Sequence, residues 1–457
     1  MTDRSLSIVI LAAGKGTRMY SRQPKVLHQI AGRSMLGHVL ALASGVPRAT
    51  ISVVVGPGMD DVRKEAARWA PDASIFVQEN QVGTADAVLA AREQLAGERG
   101  DVIVLYADSP LMRPQTLAKL VSSLDAGAGV SVVGFEADDP TGYGRLLTDQ
   151  AGNLIAIREH KDASADELRV SLCNSGVMAF RLRDVVAVLD RIGNDNAKGE
   201  FYLTDAVEIA RQDGVKATVV TCEMDEVLGV NSRDQLAVAE NIWQSRARLA
   251  AMQAGVTMIA PETVWLSFDT VLGQDVTIEP NVFIGPGVTI GEGVRIKANS
   301  YLEGADRKSA AGLRIDAGAE VGPFARLRPG TELGADVHIG NFVEVKNAIL
   351  APGAKANHLT YIGDGTVGAG ANIGAGTIFC NYDGFNKNRC DVGAGVFIGS
   401  NSALVAPVRI GDGAYVAAGS VITTNVEADS LAIVRAKRED RPEWAAKYRA
   451  MMQRRKG

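Results

Sequence analysis

The fold of the second half is written in Ile278-Glu-Pro-Asn-Val-Phe-Ile284-Gly-Pro-Gly-Val-Thr-Ile290-Gly-Glu-Gly-Val-Arg-Ile296, where an isoleucine returns every sixth residue. The rhythm reaches Leu302, resumes over Ile315, Val321, Leu327, Leu333, Ile339 and Val345, and resumes again over Val392, Ile398, Leu404, Ile410, Val416 and Ile422. Glycine often follows the aliphatic, at Gly285, Gly291, Gly322, Gly340, Gly399 and Gly411, and four residues after the aliphatic stands a small or β-branched residue such as Val288, Val294, Ala325 or Val343. A helix requires period 3.6 and a flat strand period 2, so six fits neither, whereas one short strand plus one tight corner per unit fits it. Three units per turn predict a triangular prism, a parallel β-helix with the aliphatics along its axis and glycine relieving the corner backbone. The rhythm breaks at about Glu303–Arg314 and Phe379–Asp391; loops thrown out of such a coil commonly carry binding residues.

The rest of the chain is built differently. Of 49 glycines in 457 residues, 21 fall in the first 252 and 28 in the last 205. Residues 5–230 alternate apolar β-branched runs (Ser7–Leu11, Ile51–Val55, Asp101–Tyr106) with helical patterns (Met35–Ala43, Arg63–Arg68). That alternation predicts a mostly parallel sheet covered on both faces, with ligands at the carboxyl ends of its strands. From Ser232 to Ala254 runs one helix without internal Gly or Pro, its stripe formed by Leu236, Ala239, Ile242, Trp243, Ala247 and Ala250, capped by Asn231-Ser232 and ended by Gly255. The expected division is residues 1–230, a linker helix over 231–252, and a solenoid over 253–457.

Composition narrows the function classes. A net charge of -5 offers no case for binding nucleic acid, and no apolar run reaches the ~18 residues of a membrane span. The four cysteines form no C-x-x-C pair or metal-spaced cluster, which fits a reducing cytoplasm. The tail from Arg435 to Gly457 holds nine basic and three acidic residues and reads equally as a solvated terminal helix or a functional segment.

Three places carry chemistry. After the first strand comes Leu11-Ala12-Ala13-Gly14-Lys15-Gly16-Thr17-Arg18-Met19, then Pro24-Lys25. Two glycines allow backbone N–H groups to approach a phosphate, and Arg18 and Lys25 add positive charge; the same pattern also reads as a structural turn. It is neither the dinucleotide fingerprint, since Met19 stands where the third glycine belongs, nor a P-loop. Asp108 ends a strand where ligands are expected, and suits either Mg²⁺ at phosphate oxygens or a helix N-cap before Ser109-Pro110. In the solenoid, Asn357-His358-Leu359-Thr360-Tyr361 interrupts the six-residue rhythm with a histidine. That histidine could take a proton from an amine attacking a thioester or merely bond locally.

The segment Leu11–Met19 with Pro24-Lys25 resembles the signature of sugar-1-phosphate nucleotidyltransferases. With Gln78, Gly83-Thr84, Asp139–Arg145, Glu159–Asp162, Asn174, Gly229–Asn231 and the hexapeptide repeats, residues 6–435 resemble a bifunctional bacterial family. Its members are N-acetylglucosamine-1-phosphate uridylyltransferases joined to glucosamine-1-phosphate acetyltransferases. The resemblance implies an α/β, Rossmann-like nucleotidyltransferase domain, a linker helix and a left-handed parallel β-helix. It implies acetylation of glucosamine-1-phosphate by acetyl-CoA, then transfer of UMP from UTP with release of pyrophosphate, feeding peptidoglycan and lipopolysaccharide synthesis. For the first reaction site it implies contacts from Leu11, Ala12, Ala13, Gly14, Gln78, Gly83 and Thr84 to the nucleoside, with Arg18 and Lys25 at the phosphates. Gly144, Glu159 and Asn174 would contact the N-acetylglucosamine moiety, Tyr106 and Ala107 would also belong to the UDP-N-acetylglucosamine site, and Asp108 and Asn231 would hold Mg²⁺. For the second it implies His358 as general base, Arg328 and Lys346 on the sugar phosphate, and Tyr361 and Asn372 on the sugar. Ala375, Asn381, Tyr382, Ser400, Ala418 and Arg435 would line the acetyl-CoA site. Arg328 and Lys346 are 18 residues apart, three units of six. The partners implied are small molecules and two further copies of the chain in a homotrimer. Two departures from the family pattern are Ala107, where glycine is usual, and Ala85-Asp86, where Gly-His is usual. The rival readings are a nucleotidyltransferase whose solenoid serves assembly or regulation, and a non-catalytic trimerising or partner-binding solenoid.

Overall fold

The structure, a computed structural model, describes residues 5–96, 100–182, 184–305 and 311–455. Parts of two expected features, 306–310 of the first solenoid loop and 456–457 of the tail, lie outside the described residues. The chain forms two compact units, Met1–Arg246 and Ala247–Gly457.

In the first unit a sheet runs in the order Ala217–Thr221, Val130–Glu136, Leu172–Phe180, Asp101–Tyr106, Leu6–Leu11, Ala49–Val55, Ser74–Val77. Neighbours are parallel except Leu172–Phe180, which is antiparallel to the strands on both sides. A hairpin of Arg145–Thr148 and Leu154–Arg158 extends it. The unbroken apolar runs follow from burial on both faces. Ile8 and Ile10 enter one core layer with Leu36, Val39 and Leu40, while Val9 and Leu11 enter the other with Val88, Ala91 and Val104. The first strand is central, so the loops after it, after Tyr106, after Val55 and after Val77 share one carboxyl edge.

The helix Arg233–Gln253 is where expected. Gly255, at φ +100°, donates its N–H to Met252 O (3.1 Å), and Val256 donates to Ala251 O (3.1 Å), the paired closure of a helix ending in glycine. The apolar stripe is a correction. Of its residues only Ala239 is buried and Ala250 is exposed, while the polar Gln244 and Arg248 are buried. Their stems can lie in apolar surroundings because their heads are bonded, Gln244 to Glu240 Oε1 (2.9 Å) and Arg248 to Val264 O (3.1 Å).

The second unit is a parallel β-helix of three faces, in keeping with the left-handed class. Every aliphatic of the six-residue rhythm named above is at most 3 % exposed. Successive coils pair 18 residues apart, Ile278 with Ile296 and Ile398 with Val416. The pairing lengthens to 25 at the two breaks, Ile296 with Val321 and Ile373 with Ile398. Between them the coil does not stop at Val345: it continues through Leu350, Ala356, Ile362, Val367, Ile373 and Phe379, all buried, with coils of 17 residues. One five-residue unit per coil, Val345 to Leu350 and Ile362 to Val367, hides this stretch from a strict period of six.

The corner glycines also require a different account from the sequence reading. Gly285, Gly340, Gly399 and Gly411 do not adopt positive φ. They are glycine because the next coil is too close: a Cβ on Gly340 would lie 2.0 Å from Asn357 O, and one on Gly285 2.2 Å from Glu303 O. Of the six, Gly322 is the exception at φ +100°; otherwise the left-handed backbone falls at other positions, such as Gly293 and Gly395, and in other coils at Asp275, Asn299 and Asp336, residue types that tolerate it.

Candidate functional site

The shared carboxyl edge of the first unit gathers the predicted nucleotide residues. Lys25 is buried, and its Nζ donates to Asp108 Oδ2 (2.5 Å) and Asn231 Oδ1 (2.9 Å). Val230 N–H reaches Asp108 O (2.8 Å), which fixes Asn231 beside Asp108 although 123 residues separate them in the chain. The two oxygens predicted to hold a metal therefore converge on one point, at present filled by an ammonium. One carboxylate and one amide oxygen fit Mg²⁺, which takes few protein ligands and keeps waters and phosphates. Arg18 is exposed on the turn Thr17–Met19, without an ion pair among the described residues.

The three glycines expected at the nucleotide differ. A Cβ on Gly14 meets nothing within 4 Å; one on Gly16 would strike Lys25 Cβ at 2.4 Å, and one on Gly83 would strike Phe201 O at 2.4 Å. Only Gly14 faces open space, and the other two allow close packing. Leu11, Ala12 and Ala13 are buried, Ala12 N–H donating to Val54 O, while Ala13 O accepts from Gln81 Nε2 (2.7 Å), a loop brace that no sequence signal marked. Gln78, 6 % exposed, donates from Nε2 to Gly83 O (2.9 Å) and Asp86 Oδ2 (2.8 Å). Thr84 Oγ1 accepts from Leu203 N–H (2.9 Å) and bonds the Tyr106 hydroxyl, whose acidity is suppressed by burial and by the charges of Asp108 and Glu159. Of the two departures, the added methyls turn inward: Ala107 and Ala85 are 0 % and 1 % exposed, each in a core layer.

Gly144, Glu159 and Asn174 also meet. Asn174 N–H donates to Gly144 O (2.8 Å), and a Cβ on Gly144 would lie 3.3 Å from Glu159 Oε1 and 3.5 Å from Asn174 Cβ. Burial raises the Glu159 carboxyl above its usual range, opposed by the Lys198 ammonium.

In the second unit the predicted residues divide between two corners of the prism. Along one corner, Gly376 N–H donates to His358 O (3.3 Å), Asn401 to Ala375 O (2.7 Å), Gly419 to Ser400 O (2.8 Å), and Arg435 Nη1 to Ala418 O (3.3 Å). His358, Ala375, Ser400, Ala418 and Arg435 are thus stacked coil upon coil, and Asn372 lies on the strand leading into the same corner. His358 is exposed, pairs with Asn341 in register, and its Nδ1 lies 2.9 Å from Asn341 Oδ1. With that amide oxygen as acceptor, Nδ1 carries the proton and Nε2 keeps the lone pair a base requires. A groove of 380 Å³ beside them is lined by Lys297, Phe324, Phe342 and Asn357.

At the next corner, Arg328 Nη1 contacts Glu344 Oε1 (2.9 Å) and Lys346 lies 3.7 Å from Asp364 Oδ2. The register of Leu327 on Val345 sets the two cations on adjacent coils. Asn381, buried on the second inserted loop, bonds Asp364 and the Tyr361 hydroxyl; Gly363 passes beneath, where a Cβ would meet that hydroxyl at 2.4 Å. Lys387 from the same loop lies beside Lys346, whose ammonium is made more acidic by burial and then by Lys387. Tyr382 is exposed, its hydroxyl donating to Gly384 O (2.5 Å). Among the described residues, neither Arg328 nor Lys346 is hydrogen-bonded or ion-paired to His358; the base and the cations flank one face, on which Glu344, Tyr361 and Ile378 stand in register. Sequence reasoning missed Asn341, Asp364 and Lys387, for which the six-residue period holds no signal.

Comparison with known proteins agrees with both units. The MobA-like NTP transferase domain matches residues 8–170, and the bacterial transferase hexapeptide repeat matches 269–304 and 389–424. The chain is 58% identical over 450 residues to the bifunctional protein GlmU of Azorhizobium caulinodans, covering 98% of each. It is 57% identical over 458 residues to that of Xanthobacter autotrophicus, covering 100% of each. To that of Agrobacterium fabrum it is 52% identical over 440 residues, 96% of this chain and 95% of the other.

Proposed function

The chain belongs to the family of bifunctional GlmU proteins, and from that membership we propose how its two units divide the work. It is an acetyltransferase and a uridylyltransferase: glucosamine-1-phosphate is acetylated from acetyl-CoA, and N-acetylglucosamine-1-phosphate then receives UMP from UTP with release of pyrophosphate. Residues 1–230 carry the uridylyl transfer and 253–457 the acetyl transfer, with 231–252 linking them.

In the first unit the sugar-phosphate oxygen attacks the α-phosphorus of UTP and pyrophosphate leaves in line, so the protein contributes positioning and neutralisation of charge. Leu11–Gly14, Gln78, Gly83 and Thr84 hold the nucleoside. Glu159, Asn174 and the Gly144 backbone hold the N-acetylglucosamine end, with Tyr106 and Ala107 on the strand end between. Asp108 and Asn231 would hold Mg²⁺, which when bound neutralises phosphate charge. Lys25, now shared by those two oxygens, and Arg18 then face the phosphates.

In the second unit His358 Nε2 takes a proton from the amine as it attacks the thioester carbonyl, and CoA leaves as the thiol. Asn341 holds the ring. Arg328 and Lys346 bind the sugar phosphate, Tyr361 and Asn372 the sugar. Ala375, Ser400, Ala418 and Arg435 run along the corner of the base as the acetyl-CoA track, with Asn381 and Tyr382 from the inserted loop. Since base and cations sit on different corners, a neighbouring copy in a homotrimer completes the site, and the enzyme works in the cytoplasm on small molecules. The observation that carries the acetyl-transfer reading is the stack of His358, Ala375, Ser400, Ala418 and Arg435 on one corner. The test is titration of thiol released from acetyl-CoA with glucosamine-1-phosphate present: steady release is expected, and none from the intact protein would leave the solenoid structural.

A further inference from the structure

Gln78 is a side chain with only one end left to use. It is 6 % exposed, and both of its amide hydrogens are taken, one by Gly83 O (2.9 Å) and one by Asp86 Oδ2 (2.8 Å). A carbonyl and a carboxylate can only accept, so the nitrogen of the amide must face them and the orientation is dictated by chemistry. Oε1 receives no hydrogen bond from any described residue. Gln78 stands directly after the strand Ser74–Val77, on the edge shared with Gly14, and its own N–H is tied to Val55 O (2.9 Å), so the backbone is fixed as well. Asp86, held on the helix Thr84–Leu89, is the one partner whose side chain could be otherwise: the Gly83 carbonyl is present whatever the sequence.

We propose that Asp86 is a positioning residue for base selection, locking Gln78 as a pure acceptor that reads the imide N–H of uracil and turns away cytosine. The inference rests on the reading above that this edge takes UTP. At the matching place uracil offers N3–H, a donor, and cytosine a lone pair; an acceptor that cannot rotate pairs with the first and repels the second. Without Asp86 only the Gly83 carbonyl opposes a turn of the amide, and a turned Nε2 serves cytosine, so selection weakens.

The experiment measures kcat/KM of pyrophosphate release with UTP and with CTP, N-acetylglucosamine-1-phosphate fixed, in the full-length enzyme. Asp86→Ala is expected to lower the UTP-to-CTP ratio by about tenfold or more. Asp86→Asn, whose amide oxygen accepts the same hydrogen, is expected to keep the ratio within about threefold. Thermal unfolding of each variant confirms folding. A ratio unmoved in Asp86→Ala, or equally reduced in Asp86→Asn, overturns the clamp. Failure of the wild type to use UTP at all would instead overturn the reading on which it rests.

Discussion

At the scale of single residues, the positions that matter are those whose neighbours leave them one state. His358 is exposed and would sample several rotamers if Asn341 Oδ1 did not accept from Nδ1. Asn341→Leu is therefore expected to lower kcat for thiol release by about 10- to 100-fold with KM for glucosamine-1-phosphate little changed, while Asn341→Asp retains most activity. Asp205 is constrained differently: burial, then the Glu208 charge, pushes its carboxyl up to about 6. The folded chain then holds the proton more tightly than the unfolded one, so this group favours the fold at low pH. That contribution is lost as pH rises from the ordinary carboxylate range through about 6. Asp205→Asn is expected to raise the melting temperature at pH 8 and not at pH 4, read by calorimetry; equal shifts at both would show that charge is not the cause. Ala107 and Ala85 show where reading a residue by type falls short, because added bulk near a ligand matters only if the Cβ points at it, and both point into the core.

At the scale of elements, the coil is held by repetition of one contact. Corner glycines such as Gly285 and Gly340 lie against the backbone of the next coil, so Gly340→Ala forces a methyl onto Asn357 O and is expected to cost about 1–3 kcal/mol in denaturant unfolding. Gly14→Ala, with nothing within 4 Å, is expected to change stability by less than about 0.5 kcal/mol and to act on KM for UTP instead. Loss of stability in both, or in neither, would remove the distinction. The six-residue period was legible because an aliphatic must fill the axis once per face. The 17-residue coils were not, because a face one residue shorter still buries its aliphatic while breaking the count. Those shortened coils carry His358 and Lys346.

At the scale of the whole molecule, two units carry two constellations that share no residue. Asp108→Asn is expected to reduce pyrophosphate release by at least about 100-fold and leave thiol release intact, and His358→Ala to do the reverse. Loss of both activities in either folded variant would contradict the division. No helix among the described residues is long and apolar enough to cross a membrane.

By itself the sequence determined the periods, hence a parallel sheet covered on both faces, a helix and a hexapeptide coil, because burial of apolar side chains imposes spacing on neighbours along the chain. It also carried the local loops, Leu11–Gly14 and Asn357–Tyr361, whose residue types are adjacent. Only the tertiary structure decided which distant residues meet. Asp86 comes to Gln78, Asn341 to His358 and Lys387 to Lys346 through strand order and coil register, and a hydrogen bond formed across a register leaves no period in the chain.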